Sequence, residues 1–201
     1  GCRGGDCGAC TVLVGELSGS YVHYKNINSC LLPLGDIDGK HLVSVEGLNI
    51  NGMNLFQQFL VNNGGTQCGF CTPGFVMSFA AYLITSDVFD TKTAKDYLTG
   101  NLCRCTGHKG ILSSVEEVIN ILNKKEVRSD RLKFLSDNKL IPEYLGLVAS
   151  KLKQIAKTRP LHSYDGVKQI VSGGTDIYVQ KGETISNSDI SLMSEILSDE
   201  M

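Results

Sequence analysis

With 201 residues, 42% hydrophobic, 20% charged and a net charge of −2, the chain has the composition of a globular protein, with room for one ordinary domain or two small ones. A disordered tail and a collagen-like rod are excluded. The 19 basic and 21 acidic residues are intermixed, so neither a basic field for nucleic acid nor an acidic interaction tail is present. The longest nearly apolar stretch, Gly74–Ile84, is 11 residues against the roughly 20 that a membrane-spanning helix needs, so no membrane span is expected.

Residues 1–47 read as a glycine-rich loop followed by short strands. Thr11–Val14 and Tyr21–Tyr24 flank Gly15 and the Ser18-Gly19-Ser20 turn as a hairpin, and a further strand is expected around Leu42–Val45. From Met53 the period becomes helical. Leu55, Phe56, Phe59 and Leu60 mark one helix. A second follows Thr72-Pro73, where threonine can cap and proline suits the first turn, and carries Phe75, Val76, Phe79, Leu83 and Ile84. A third is expected from about Thr91 to Leu98. A fourth runs from about Gly110 to Lys124, with Ile111, Leu112, Val115, Val118, Ile119 and Leu122 inward. Four short helices with tight loops make a small bundle.

Residues 125–162 lose this regularity, carry nine basic residues and include Pro142 and Pro160. They read as a linker with a helix near Leu145–Ile155, the basic bias marking a solvated or interdomain surface. Gln169-Ile170-Val171 reads as a strand, Ser172-Gly173-Gly174-Thr175 as a tight turn, and Asp176 as the opening of a helix. Only 26 residues follow Thr175, so this last unit is expected to be truncated.

All eight cysteines lie at or before Cys105, and no basic and apolar signal segment precedes them, which points to a cytoplasmic protein and not a secreted disulfide scaffold. Because the first residue is Gly1 and not Met, further sequence ahead of it is expected. Cys2, Cys7, Cys10 and Cys30 form C-x4-C-x2-C with a distant fourth, the plant-type spacing for a 2Fe–2S cluster. Gly1, Gly4, Gly5 and Gly8 allow positive φ and turn amides toward bridging sulfides. Cys68, Cys71, Cys103 and Cys105 form C-x2-C and C-x-C just ahead of two helices, where the positive end of the dipole favours thiolates and an anionic cluster. Disulfides compete weakly, because a C-x-C bridge is strained. Four-cysteine zinc sites suit the second set better than the first, which leaves a zinc-stabilised structural or interaction module as the alternative from another class.

GCRGGDCGACTVLV with NSCLLPL, then TQCGFCTPGFVMS, then GNLCRCTG, resemble the two iron–sulfur modules of the molybdenum hydroxylase (xanthine oxidase) family, from Gly1 to about Asn123. IVSGGTDIYV at Ile170–Val179 is similar to the start of that family's FAD-binding domain. The resemblance implies an α+β multidomain chain. Residues 1–47 would be a β-grasp, ferredoxin-like 2Fe–2S remnant and 48–124 a four-helix-bundle 2Fe–2S domain. Residues 125–162 would be a linker, and 163–201 the truncated start of an α+β FAD-binding domain. It also implies an oxidoreductase subunit that relays electrons from a molybdopterin centre through both clusters to FAD and NAD, with no catalytic residue of its own. Cys68, Cys71, Cys103 and Cys105 would hold the cluster nearer molybdenum, and Cys2, Cys7, Cys10 and Cys30 the one nearer flavin.

Gln67 and Cys105 match positions that touch the pterin in relatives, with a helix cap or loop amide as the other reading of Gln67. Val171, Ser172, Gly173, Gly174, Thr175, Asp176 and Ile177 match the loop beside the flavin pyrophosphate, a partial site for which an ordinary turn is the rival. The substrate pocket and molybdopterin are expected on a large partner subunit, in a hetero-oligomer such as a dimer of heterodimers, with no nucleic acid and no membrane. Continuation past the bundle favours the xanthine dehydrogenase type over aldehyde-, carbon-monoxide- or N-heterocycle-oxidising members. Compared with that family, the strand, strand and helix that normally precede the first cysteine loop do not stand ahead of Cys2 here, so the first unit is expected to be N-terminally truncated. His108 and Gly110 replace an aromatic residue and proline, His108 reading as a surface or interface substitution.

Overall fold

The computed structural model describes residues 1–49, 52–125, 130–158, 169–171, 175–188 and 190–192. Strands β1 (Thr11–Ser18) and β2 (Tyr21–Asn28) form an antiparallel hairpin in register from Ser18 opposite Tyr21 to Thr11 opposite Asn28. Its two-residue loop places Gly19 at φ 60°, which glycine adopts without steric cost. Both strands run four residues past the expected Thr11–Val14 and Tyr21–Tyr24. Gly15, read as a strand end, is instead paired with Tyr24, whose ring fills the place of the missing side chain: a Cβ there would lie 2.6 Å from it. Strand β3 (His41–Val43) pairs antiparallel on the other side of β1, giving the order β2-β1-β3.

After the single turn α1 (Val45–Leu48) come α2 (Leu55–Asn62), α3 (Thr72–Thr85), α4 (Thr91–Leu98) and α5 (Lys109–Asn123). Local chemistry starts two of them. Asn54 Oδ1 accepts from the Gln57 amide at 2.9 Å while Gln57 Oε1 accepts from the Asn54 amide at 2.8 Å, a capping box, and Asp90 Oδ1 accepts from the Thr93 amide at 2.8 Å. Helix α3 is buried continuously from Gly74 to Leu83 because it is packed against β1 and β2 on one flank and α1, α4 and a later helix, α6 (Arg131–Asp137), on the others. Its N-cap is Cys71 and not Thr72, with proline in the first turn as expected. The inner face of α5 is as read, except that Leu112 is half-buried and Ser114 takes an inward position.

The segment read as a linker packs into the same core. Helices α6 (Arg131–Asp137) and α7 (Val148–Thr158), joined through a 3-10 helix at Glu143–Leu147, contribute Phe134, Leu135, Leu140, Ile141, Leu145, Val148 and Leu152. Arg131 is no solvated cation. Its Nε donates to the Leu83 carbonyl at 2.7 Å and its guanidinium lies 4.3 Å from the Phe89 ring centre, pinning α6 to the end of α3. Beyond it, β4 (Gln169–Val171) pairs in parallel with β5 (Ile190–Leu192), with α8 (Thr175–Ser186) between them. The chain is thus α+β, with a small sheet and several helices. Among the described residues no helix is long and apolar enough to cross a membrane.

Candidate metal centre

The first cysteine set is closed by the hairpin. Since Thr11 pairs with Asn28, the residues just outside the ladder are brought together: the Ser29 amide donates to the Cys10 carbonyl at 3.2 Å, and Cys30 follows in a short 3-10 helix, Ser29–Leu31. That returns the distant fourth cysteine to the loop. Asn28 Nδ2 donates to the Gly5 carbonyl at 2.6 Å, holding the loop to the strand end. Within it Gly5 (φ 80°) and Gly8 (φ 67°) are left-handed as expected, but Gly4 is not, and Arg3 (φ 61°) takes that conformation instead.

Thiols in this set act on one another, Cys7 on Cys2, and Cys10 and then Cys2 on Cys30. The Gly4 amide, 3.4 Å from Cys2 Sγ, together with the Cys7 amide and thiol and the Asp6 amide, lowers the exposed Cys2 thiol to about 7. Burial first, then the neighbouring Cys10 thiol, pushes Cys30 up.

The second set lies where α3 and α5 begin. Cys71 caps α3, Cys68 is three residues back across Gly69 (φ 81°), and Cys103 and Cys105 precede α5. Cys105 Sγ lies 3.5 Å from Cys68 Sγ, and Cys71 interacts with Cys103. Burial, then Cys103, pushes the Cys71 thiol up to about 12. Burial also raises Cys103, but the Thr106 hydroxyl (3.1 Å) and amide (3.5 Å), the Cys105 amide and the Cys71 thiol outweigh it and leave Cys103 lowered.

All eight cysteines are free thiols, in two sets of four. Among the described residues no three or more His, Cys, Asp or Glu side chains converge as a single metal ion would require. Each set offers four thiols, and a 2Fe–2S cluster takes two thiolates on each of its two irons, so the donor sets fit such clusters.

His108 is not a peripheral substitution. Left-handed (φ 65°) at the N-cap of α5, it turns Nε2 to accept the Cys103 amide at 3.2 Å, while its ring meets Phe75 edge-on at 5.4 Å. It thereby positions a cysteine of the second set. Sequence reading also missed Thr106 and Asn101, whose polar side chains two or three residues from a cysteine were the only signal. Gln67 and Cys105 are both exposed, Gln67 being adjacent in sequence to Cys68, which Cys105 contacts, and Phe70 (61%) and Leu102 (59%) are exposed apolar side chains within the two cysteine-bearing segments. Of the residues matched to a flavin loop, Val171 is buried in β4. Thr175, Asp176 and Ile177 open α8, one residue earlier than expected, and Asp176 Oδ1 accepts from Gln180 Nε2 at 2.6 Å. Ser172, Gly173 and Gly174 lie outside the described residues, as do residues 159–168.

These environments predict an order of thiol reactivity in the metal-free protein. Cys2 is expected to be alkylated first at neutral pH, its rate climbing through pH 7 and levelling above it, and Cys71 last, being buried and protonated until far higher pH. Timed iodoacetamide labelling with peptide mass spectrometry measures both.

A family model for a 2Fe–2S binding domain matches residues 44–116, which contain the whole second set. Xanthine dehydrogenase of Emericella nidulans is 38% identical over 133 residues, 65% of this chain and 10% of that protein. Xanthine dehydrogenase 2 of Arabidopsis thaliana is 43% identical over 120 residues, 57% of this chain and 9% of that one. Mouse (Mus musculus) aldehyde oxidase 3 is 34% identical over 165 residues, 80% of this chain and 12% of that protein. The chain thus spans about a tenth of the length of these curated relatives. Among solved structures, quinoline 2-oxidoreductase from Pseudomonas putida 86 superposes with a TM-score of 0.52 at 30% identity, covering 63% of this chain and 75% of that one. With its two sets of four thiols and these relatives, the chain belongs to the molybdenum hydroxylase family, within that family's iron–sulfur region.

Proposed function

We propose that this chain is the electron-transfer part of a molybdenum hydroxylase of xanthine dehydrogenase type. Cys2, Cys7, Cys10 and Cys30 would hold one 2Fe–2S cluster in a ferredoxin-like unit (1–47), and Cys68, Cys71, Cys103 and Cys105 a second in the helical unit (48–124). The observation that carries this is the arrangement of eight free thiols as two sets of four, the first closed by the hairpin and the second at the beginnings of α3 and α5, where Cys68 and Cys105 lie 3.5 Å apart. When bound, such clusters supply one-electron centres whose potentials depend on hydrogen bonds to sulfur and on burial.

The chain's own residues provide both. The Gly4 amide and the Thr106 hydroxyl and amide point at cysteine sulfurs, and His108 and Phe75 hold the Cys103 backbone. The exposed Phe70 and Leu102 would be covered by a large subunit that carries molybdopterin and the substrate site, with Gln67 and Cys105 facing the pterin. β4 and α8, with Val171, Thr175, Asp176 and Ile177 on them, would begin a flavin-binding unit (163–201) at the other end of the relay to FAD and NAD, with 125–162 between.

Anaerobic reconstitution with iron and sulfide is expected to give a brown protein with about four irons and four labile sulfides per chain. Stoichiometric zinc in a colourless protein would overturn this reading in favour of a structural module. A second reading, an aldehyde oxidase-type assembly, is favoured by the longer match to mouse aldehyde oxidase 3. Reduction of the assembled enzyme by xanthine supports the first reading, and reduction by an aldehyde but not by xanthine the second.

A further inference from the structure

The two cysteine sets are joined by a buried polar junction built around Asn101. Its side-chain amide donates to the Gly8 carbonyl at 2.9 Å, 93 residues away in sequence, and its side-chain oxygen accepts from the Ser78 hydroxyl of α3 at 2.6 Å. The Gly8 carbonyl also receives the Thr11 amide at 3.1 Å and the Thr11 hydroxyl at 2.6 Å. Next to it, the Leu102 amide donates to the Cys7 carbonyl at 3.0 Å. Asn101 is 3% exposed, Ser78 1% and Thr11 7%, so water does not compete for these bonds.

Each strand of the junction lies close to a cysteine of one set or the other. Gly8 sits between Cys7 and Cys10, Asn101 two residues before Cys103, and Gly74 three residues after Cys71. The backbones are in contact: a Cβ on Gly74 would fall 2.1 Å from the Gly8 oxygen, and one on Gly8 would fall 2.4 Å from the Gly100 oxygen. Both ends of the Asn101 amide are used in opposite senses, one donating and one accepting. Aspartate would keep the acceptor for Ser78 but set a second acceptor against Gly8, and an apolar residue would supply neither. Neither end of the side chain caps the helix that precedes it: its partners lie on α3 and on the first cysteine loop.

We infer that Asn101 is a positioning residue that fixes the separation and orientation of the two four-cysteine sets, by clamping the Cys7–Cys10 loop onto the segment that leads into Cys103. The inference rests on the reading that both sets hold clusters. In wild-type protein with both sets loaded and reduced, magnetic coupling between two paramagnetic centres splits their low-temperature resonance signals, and that splitting falls with the cube of the distance between them.

Asn101→Asp is expected to keep about four irons per chain and to lose the wild-type splitting. Ser78→Ala leaves the donor end of Asn101 in place, so its splitting is expected to stay as in wild type while its urea midpoint falls. Full iron with an unchanged splitting in Asn101→Asp would overturn the proposal. If that variant gives no soluble protein, Asn101→Ser is measured in the same way, with the same expected loss.

If wild-type protein binds no iron, the functional reading fails but the clamp is still tested in the metal-free chain. Exchange of the Leu102 amide should then rise about tenfold in Asn101→Asp and stay slow in Ser78→Ala. Equal protection in both would overturn it.

Discussion

Cys71→Ser is expected to cut bound iron after anaerobic reconstitution from about four atoms per chain to about two, leaving one paramagnetic signal, that of the first set. Cys71 caps α3 and is buried, so no other ligand can approach in its place, and a serine oxygen is a harder and poorer donor to iron than a thiolate. Cys10→Ser should give the complementary loss and leave the signal of the second set. Iron assay and low-temperature resonance spectra measure both. Loss of all iron from either variant would show that the sets cannot be filled independently. Because the metal-free Cys71 thiol sits at about 12, loading of its set must release a proton from it, so loading should quicken as pH rises from 7 to 9.

Gly74→Ala is expected to destabilise the protein by about 1–3 kcal/mol, although alanine in a helix interior normally gains about 1 kcal/mol over glycine. The new methyl would meet the Gly8 carbonyl oxygen at 2.1 Å and the Asn101 side-chain nitrogen at 2.8 Å, and a backbone carbonyl can yield only by moving the Cys7–Cys10 loop. The overlap outweighs the propensity gain. Urea unfolding should show a lower midpoint, and iron should be lost from the first set before the second, even though Gly74 follows a cysteine of the second. Gly182→Ala, beside the kink of α8 at Lys181 and with nothing within 4 Å of the added carbon, is a control free of overlap and should be close to neutral.

Much of the secondary structure was legible because its signals are local. Helix α4 falls at the expected residues, α5 within one residue of them, and proline in the first turn of α3 marks that helix correctly. Where local rules conflict with packing, packing wins. Gly15 should end a strand, yet the Tyr24 ring supplies the missing bulk and the ladder continues for three more residues. The basic, irregular segment after Asn123 reads as solvated. Its buried apolar residues, Phe134, Leu135, Leu140 and Leu152 among them, are spaced unevenly along two short helices and a turn, so no single period reveals them as core.

By itself the sequence determined that eight cysteines divide into two sets of four, that the first lies on a glycine-rich loop before strands, and that the second lies at two helix beginnings. Spacing and turn chemistry are local properties, and a single chain displays them in full. Tertiary structure alone brought the thiols together: Cys68 to 3.5 Å from Cys105, with Cys71 near Cys103, Cys2 near Cys7 and Cys10 near Cys30. It also turned His108 onto the Cys103 amide and brought Asn101 to Gly8. Three of these thiol pairs and the Asn101 contact join residues 20 to 93 positions apart, and such contacts depend on the hairpin and helix packing that return the chain to the same place, which no local periodicity encodes.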